Sequence, residues 1–185
     1  AEQVKARAEA LANKPTTAPV KGAGVALPPL EVTVDGDTTT WKYVTLQLDR
    51  VHRTAELTVR GPGEPEPTTA EEFVARGARC WALQAMRELD DAILRLRFNH
   101  DDTGVVLLKT RGDIGRLLEV DAALEACRGH WFVSEIVLHM ARVLRRLDQT
   151  ARSFFAVLDP GSCFAGPLLE VALAADRSYM LDDAK

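Results

Sequence analysis

The residues of this sequence with the clearest chemical potential lie in one loop, Ser162–Gly166. The loop follows a short apolar run, Phe154–Leu158, which is long enough for a strand buried on both faces and too short for a helix. Asp159-Pro160-Gly161 ends this run, and Pro167 suits the first position of a helix, where its missing N–H would have no intrahelical partner. A loop of small residues that leads into a helix can direct backbone N–H groups at an anion or a developing oxyanion. The sequence therefore predicts an anion site at this loop.

Glu170 is the side chain close to this loop that could move a proton. It falls in the first turn of the predicted helix, and it is a candidate general acid or base for the addition of water. The other interpretation is a carboxylate that only stabilises the start of the helix, by about 0.3–1 kcal/mol. Cys163 also has two interpretations, a thiol activated by the helix N-terminus or a small apolar loop residue.

Other polar clusters are weaker candidates for a site. Four histidines lack the spacing of metal ligands, and we predict no metal site; they are His52, His100, His130 and His139. Three arginines could bind a phosphate, or could form the solvated side of an amphipathic helix; they are Arg142, Arg145 and Arg146. Asp90-Asp91 is a pair in sequence only, because adjacent helix residues do not face each other, and we assign it to a helix surface.

The elements that must position the loop follow from hydrophobic periodicity. We predict helices over Glu2–Asn13, Ala70–Arg97, Glu119–Arg128, His130–Gln149 and from Pro167 to Asp176. Strands are predicted within Leu30–Val34, Trp41–Leu48, Arg53–Arg60, Val105–Lys109, Phe154–Leu158 and Arg177–Leu181. Thr69 and Glu72 have the spacing of a capping box at the start of the long helix. The alternation of helices and strands favours an α/β sheet built from parallel crossovers.

Composition excludes several classes of function. The 185 residues are 46% hydrophobic and 27% charged, which is ordinary for one globular domain. A net charge of −4 gives no basis for nucleic-acid binding, and no apolar run reaches the length of a transmembrane helix. The three cysteines, Cys80, Cys127 and Cys163, are widely spaced, so we expect reduced thiols and a cytoplasmic location.

The residues of the last third of the chain resemble a signature of the crotonase (enoyl-CoA hydratase/isomerase) superfamily. The signature, A-V-N-G-x-x-x-G-G-G-x-E-L-A-x-x-x-D before a strand, is matched by Ala156-Val157, Gly161, Gly166, Glu170, Ala172 and Asp176. Longer runs are similar to one branch of that superfamily, which opens the ring of 2,3-epoxybenzoyl-CoA with water and releases formate in aerobic benzoate degradation. These runs are Met86–Leu94, Gly129–Val133, Ser153–Gly166 and Ala174–Met180.

The resemblance implies a role for each candidate residue. In the superfamily two backbone N–H groups hold the enolate oxygen of a CoA thioester, and a glutamate on the helix moves a proton. Glu170 matches that glutamate, and a second catalytic glutamate of the family would lie beyond Lys185. Gly161, Gly166 and Gly112 are the positions expected to contact the thioester oxygen or CoA. The central glycine of the family falls on Pro167, which has no N–H to donate.

The first oxyanion signature of the family is altered as well. The family runs from its strand through a longer loop to a G-A-D, whereas this chain turns at once through Thr110–Asp113. With these departures, the resemblance implies that the working site of the parent protein lies in an earlier unit, and that this segment is scaffold, substrate-pocket wall or oligomer contact.

The resemblance implies an α/β crotonase-like ββα spiral that is truncated at its C-terminal side. Residues 1–14 would be the tail helix of a preceding unit, 15–29 a linker, and 30–185 an incomplete second crotonase-like domain. The partners implied are a CoA-thioester substrate, the upstream unit and further copies of the protein, without nucleic acid or membrane. No cofactor is expected, since CoA is part of the substrate.

Two alternatives remain open at the level of the sequence. The first is a catalytically active hydratase/isomerase-type domain for another CoA thioester, in which Glu170 is essential. The second is a non-catalytic packing or oligomerisation module. For such a module we expect Phe155→Ala to lower stability by about 3–5 kcal/mol.

Overall fold

A single seven-stranded sheet runs through the chain from residue 33 onward. The structure is a computed structural model that describes residues 2–13 and 24–182. The strands are β1 (Thr33–Asp35), β2 (Thr38–Thr40), β3 (Val44–Asp49), β4 (Thr54–Arg60), β5 (Val105–Arg111), β6 (Ser153–Leu158) and β7 (Arg177–Met180). They lie in the sheet in sequence order, antiparallel from β1 to β4 and parallel from β4 to β7.

The helices that follow β4 connect the parallel strands and cover one face of the sheet, whereas the first helix precedes the sheet. The helices are α1 (Glu2–Ala12), α2 (Ala70–Arg76), α3 (Trp81–Asn99), α4 (Ile114–Ala126), α5 (Trp131–Asp148) and α6 (Leu169–Leu173), with short 3₁₀ turns at Gly77–Arg79 and Gly166–Leu168. α3 packs on β3 and β4 and against α5. The apolar residues of α5 recur at helical spacing and are buried on one side of it: Phe132, Ile136, Met140, Val143 and Leu147.

The predicted single helix over Ala70–Arg97 is wrong, because the chain breaks between α2 and α3. Gly77 has a φ of 58°, a conformation that residues with a Cβ rarely adopt. The Glu66 carboxylate then accepts the Trp81 N–H at 2.7 Å, which gives α3 a start of its own. Thr69 caps α2 through the predicted capping box with Glu72.

The start predicted for α4 at Glu119 is also wrong. The helix begins five positions earlier, because the Asp113 carboxylate caps it by accepting the Arg116 N–H at 3.0 Å. The turn after β5 is therefore even shorter than the sequence suggested.

Only one face of the parallel strands is fully covered, which corrects the prediction of a strand buried on both faces. Phe154 and Ala156 of β6 point into the core at 1% and 0% exposure. Phe155 lies on the opposite, half-buried face, with its ring edge-on to Tyr179 at 5.5 Å between centroids.

The N-terminal helix, α1, differs from the other helices in its burial. α1 forms where predicted, and none of its described residues is buried. Of the linker predicted over residues 15–29, positions 24–29 have no regular secondary structure, and the remainder lies outside the described residues.

Candidate functional site

The segments that follow β4, β5 and β6 meet at the carboxyl ends of these parallel strands. A Cβ placed on Gly112 would lie 3.1 Å from the Gly61 Cα and 3.4 Å from the Cys163 Sγ. The Gly61 N–H donates to the Arg111 carbonyl at 2.8 Å, and the Cys163 N–H donates to the Thr110 hydroxyl at 2.9 Å. Gly112 therefore lies just beyond the end of β5, where the Gly61 backbone and the Cys163 thiol fill the space beside it.

An ion pair closes the gap between the ends of β5 and β6. Arg111 Nη1 and Nη2 donate to the two carboxylate oxygens of Asp159 at 2.6 and 2.8 Å. The Ser162 hydroxyl also donates to Asp159 at 2.8 Å, and these bonds hold the pKa of the Asp159 carboxyl at about 2. A fixed cation at a strand end could attract an anion, but here Asp159 already neutralises it.

The turn that should carry the second oxyanion donor packs against α4. Gly166 has a φ of 47°, and a Cβ there would lie 2.8 Å from the Leu117 carbonyl oxygen. Pro167 and Leu168 are buried behind it. The Gly166 N–H donates to no described residue. The space that a Cβ on Gly166 would need is occupied by α4.

The other two predicted site residues lie on the surface. Glu170 is exposed on α6, and its carboxylate contacts no hydrogen-bond donor among the described residues. Gly161 is exposed with a φ of 86°, and the nearest atom to a Cβ there is the Arg111 Cδ at 4.0 Å. The structure thus brings Gly112, Gly161 and Gly166 near one end of the sheet, and it leaves Glu170 exposed on α6.

Cys163 fits the interpretation of a small apolar loop residue. Its side chain is fully buried, and burial raises the pKa of its thiol. A raised pKa reduces the thiolate fraction on which nucleophilic reactivity depends.

A shallow groove of about 330 Å³ opens next to the ion pair. Its apolar wall includes the exposed side chains of Ile114, Met180 and Leu181, and Asp159 and Ser162 lie at its polar side. This surface suits contact with another apolar segment better than proton transfer, since its carboxylate is held ionised by Arg111.

Sequence reasoning missed the Arg111–Asp159 pair. The two residues are 48 positions apart, and each had a local interpretation in a turn. The surface assignment of Asp90-Asp91 was also wrong. Asp90 binds Arg146 of α5, and Asp91 accepts from the Trp41 indole at 3.0 Å and from Arg95 at 3.0 Å.

Two further kinds of site are absent from the described residues. Residues 2–13 and 24–182 contain no group of three or more His, Cys, Asp or Glu side chains placed to hold a metal ion. No helix in that part of the chain has the length and hydropathy needed to cross a lipid bilayer.

Comparison with known proteins identifies the type of fold. No family model matches the chain. A benzoyl-CoA-dihydrodiol lyase from Aromatoleum evansii is 49% identical over 185 residues, which is 100% of this chain and 33% of that protein. The crystal structure of an enoyl-CoA hydratase from Geobacillus kaustophilus superposes with a TM-score of 0.51 at 20% identity, covering 80% of this chain and 48% of the other. The chain therefore has part of the crotonase-type α/β fold, and it spans about a third of the length of the lyase that it matches.

Proposed function

We propose that this chain is the second crotonase-like unit of a benzoyl-CoA-dihydrodiol lyase, with a structural or pocket-forming role. The identity of 49% along the whole chain carries the assignment to that enzyme. The parent reaction implied by the family resemblance is the hydrolytic opening of the 2,3-epoxybenzoyl-CoA ring with release of formate. On this proposal residues 30–185 form the unit, 15–29 the linker and 1–14 the tail helix of the unit before it.

The geometry at the strand ends supports a non-catalytic role for this unit. Oxyanion stabilisation needs an N–H about 3 Å from the developing charge. Pro167 supplies none, and the Gly166 N–H, which donates to no described residue, belongs to a turn packed against α4. Arg111, the nearest fixed cation, is already bonded to Asp159.

Kinetics of the full-length protein carrying Glu170→Gln test this proposal. Because the Glu170 carboxylate is exposed and unpaired with any described residue, we expect kcat/KM for the CoA-thioester substrate to stay within about twofold of wild type. A loss of several orders of magnitude would instead identify the unit as a catalytic hydratase/isomerase-type domain.

The outer edge of the sheet, at β7, carries features of a packing surface. Met180 and Leu181, at the end of the sheet, are 76% and 61% exposed, and β7 has no strand on its outer side in the described chain. Large exposed apolar groups and free sheet edges mark contact surfaces. We propose that this edge packs against the rest of the parent protein or against another copy of it.

The packing role can be tested by measuring the stability of Met180→Lys both in the 185-residue chain and in the full-length protein. Met180→Lys should leave the stability of the 185-residue chain almost unchanged, because the side chain is exposed there. In the full-length protein it should lower the melting temperature, since a buried, unpaired ammonium is unfavourable. Val51→Lys, at a position 87% exposed, is the matched control. Equal behaviour of the two variants in the full-length protein would argue against the packing role.

A further inference from the structure

A second groove runs between α3, α5 and the segment that precedes β1. Its volume is about 410 Å³, within the range of ligand pockets. It lies apart from the glycines at the strand ends, none of which lines it. Six of the residues that line it have apolar side chains; they are Val25, Leu27, Leu83, Trp131, Phe132 and Ile136.

The apolar and the basic residues lie at opposite ends of this groove. Along α5, Trp131 and Phe132 come first, and His139 and Arg142 follow. Phe132 and Arg142 are ten positions apart, which is about 15 Å along a helix. The groove is therefore elongated, and it changes from apolar to basic along its length.

The segment before β1 runs along the groove in the same direction. At the apolar end, the Cγ1 of Val25 lies 3.3 Å from the position of a Cβ placed on Gly77, shortly before α3 begins. At the basic end, the Pro28 carbonyl accepts a hydrogen bond from Arg87 Nη2 at 2.8 Å. This segment therefore forms a wall that connects the two ends.

The helices α3 and α5 also share this direction. Leu83 of α3 and Ile136 of α5 line the same groove. Further along both helices, Asp90 of α3 bonds to Arg146 of α5. Both helices therefore lead from the apolar end towards the basic end.

Two arginines on these facing helices stand at the same level. Arg87 precedes Asp90 by three positions, and Arg142 precedes Arg146 by four. Both arginines therefore lie about one turn before the contact between Asp90 and Arg146. Because long side chains on a helix lean towards its N-terminus, both guanidinium groups reach back over the groove.

The basic end keeps a net positive charge and unused donors. Arg142 donates to no described residue, and Arg87 uses one N–H for the Pro28 carbonyl and keeps its other donors. Glu135 also lines the groove, so its charged groups sum to one positive charge when His139 is neutral. The Nε2 of His139 is buried and has no hydrogen-bond partner among the described residues.

We propose that this groove binds an elongated carboxylate, with an unbranched alkyl chain along the apolar residues and the carboxylate at Arg87 and Arg142. An alkyl chain matches an apolar surface that extends in one direction, and each methylene group that leaves water contributes to binding. A guanidinium can hold a carboxylate through two parallel hydrogen bonds. With C–C bonds of about 1.5 Å in a zigzag, a chain of about ten carbons spans most of the groove.

Isothermal titration calorimetry of the 185-residue chain with decanoate, octanoate and octanol tests both parts of the ligand. Decanoate should bind about fivefold more tightly than octanoate or better, because two more methylene groups leave water. Octanoate should bind about tenfold more tightly than octanol or better, because octanol has the same chain without the charge.

Two arginine variants on α5 locate the carboxylate. Arg142→Gln should weaken decanoate binding by about tenfold, because it removes a charge-assisted hydrogen bond. Arg145→Gln is the matched control, since Arg145 lines a different groove, and it should change the affinity by less than about twofold.

Two leucine variants locate the alkyl chain. Leu27 is 58% exposed on the wall of the groove, and Leu27→Ser should weaken decanoate binding by about fivefold. Leu138 is 52% exposed on α5 and does not line the groove, so Leu138→Ser should leave the affinity almost unchanged. Since both leucines are exposed, neither substitution should unfold the chain.

The orientation of the ligand can be read from His139 by NMR. Burial lowers the pKa of the His139 imidazole, and the nearby arginines lower it further. A bound carboxylate favours the imidazolium, so decanoate should raise this pKa. The reverse orientation would place the carboxylate beside His130, at the start of α5, and would leave His139 unaffected.

Any of several results would overturn the proposal. They are equal binding of octanoate and octanol, equal binding of decanoate and octanoate, equal effects of the two arginine variants or of the two leucine variants, and an unchanged pKa of His139 at saturating decanoate.

Discussion

Arg111 and Asp159 join the ends of two neighbouring parallel strands through a two-point ion pair, with N–O distances of 2.6 and 2.8 Å. Arg111 is the last residue of β5, and Asp159 follows the last residue of β6. The pair occupies the end of the sheet at which ligands bind in many α/β proteins. It ties the loop that carries Gly161 to β5, and it leaves the Arg111 guanidinium already paired, so that this cation is not available to a substrate anion.

Asp159→Asn should therefore destabilise the chain in a pH-dependent way. The pKa of Asp159 is held at about 2, below its ordinary value of 3.8, by Arg111 and Ser162. The stabilisation is present above pH 3.8 and is lost as the pH falls towards 2. Because both side chains are partly exposed, solvent screens the pair, and we expect a loss of only about 0.5–1 kcal/mol in unfolding free energy near pH 7.

Urea unfolding at about pH 7 and about pH 2.5 measures this effect. The difference between wild type and Asp159→Asn should shrink at the lower pH. Asp148→Asn, at an exposed position of α5, is the matched control. A difference that is the same at both pH values would contradict the ion-pair interpretation.

Gly166→Ala should destabilise the turn before α6. At a φ of 47°, a Cβ would lie 2.8 Å from the Leu117 carbonyl oxygen, so the turn and α4 must move apart. We expect a loss of about 2–3 kcal/mol in unfolding free energy, measured by urea denaturation. Gly129→Ala, where a Cβ would meet nothing within 4 Å, should be close to neutral. Equal stabilities of the two variants would refute the close approach of α4.

Local patterns in the sequence predicted most of the elements but not their contacts. The apolar stripe of α5, the strand before Asp159 and the capping box of Thr69 with Glu72 are all encoded within a few residues. The break at Gly77 is not encoded locally, because the backbone there lies against Val25, 52 positions earlier. The Cγ1 of Val25 is 3.3 Å from the position of a Cβ placed on Gly77.

The candidate site was only partly readable from the sequence for the same reason. Pro167 was recognised as a residue without a donor, which is a property of one residue type. The packing of α4 on Gly166 and the closure of the strand ends by Arg111 and Asp159 depend on how distant segments meet. Whether Glu170, Gly161, Gly166 and Gly112 take part in binding or catalysis stays a prediction.

Neighbouring phenylalanines of β6 should differ strongly in their contribution to stability. Phe154 is 1% exposed in the core, so Phe154→Ala should lower the unfolding free energy by about 3–5 kcal/mol. Phe155 lies on the half-buried face against Tyr179, and Phe155→Ala should lower it by about 1 kcal/mol in the isolated chain. The loss expected for Phe155→Ala is therefore smaller than the about 3–5 kcal/mol that the sequence alone suggested.

Parallel urea titrations of the two phenylalanine variants measure the difference. A larger loss for Phe155→Ala than for Phe154→Ala would show that the faces of β6 are assigned the wrong way round. In the full-length protein the effect of Phe155→Ala should grow if another segment covers this face of the sheet.

Glu88→Gln should change how stability depends on pH. The Glu88 carboxylate is 1% exposed, and it accepts the Tyr43 N–H at 2.7 Å and the Gln84 side-chain amide at 3.0 Å. Burial raises its pKa above the ordinary value of 4.5, which these hydrogen bonds only partly offset. A raised pKa means that the folded chain holds this proton more tightly than the unfolded chain, so the associated stability is complete below pH 4.5 and is lost as the pH rises through the folded pKa.

The variant keeps the shape of the side chain and one accepting oxygen but carries no ionisable group. The stability of wild type relative to Glu88→Gln should therefore be greatest near about pH 4.5 and should decline towards about pH 7.5, as measured by urea unfolding at both values. Glu135→Gln, at an exposed position of α5, is the matched control for the loss of one carboxylate. A relative stability that rises with pH would mean that the hydrogen bonds from Tyr43 and Gln84 outweigh the effect of burial on this carboxylate.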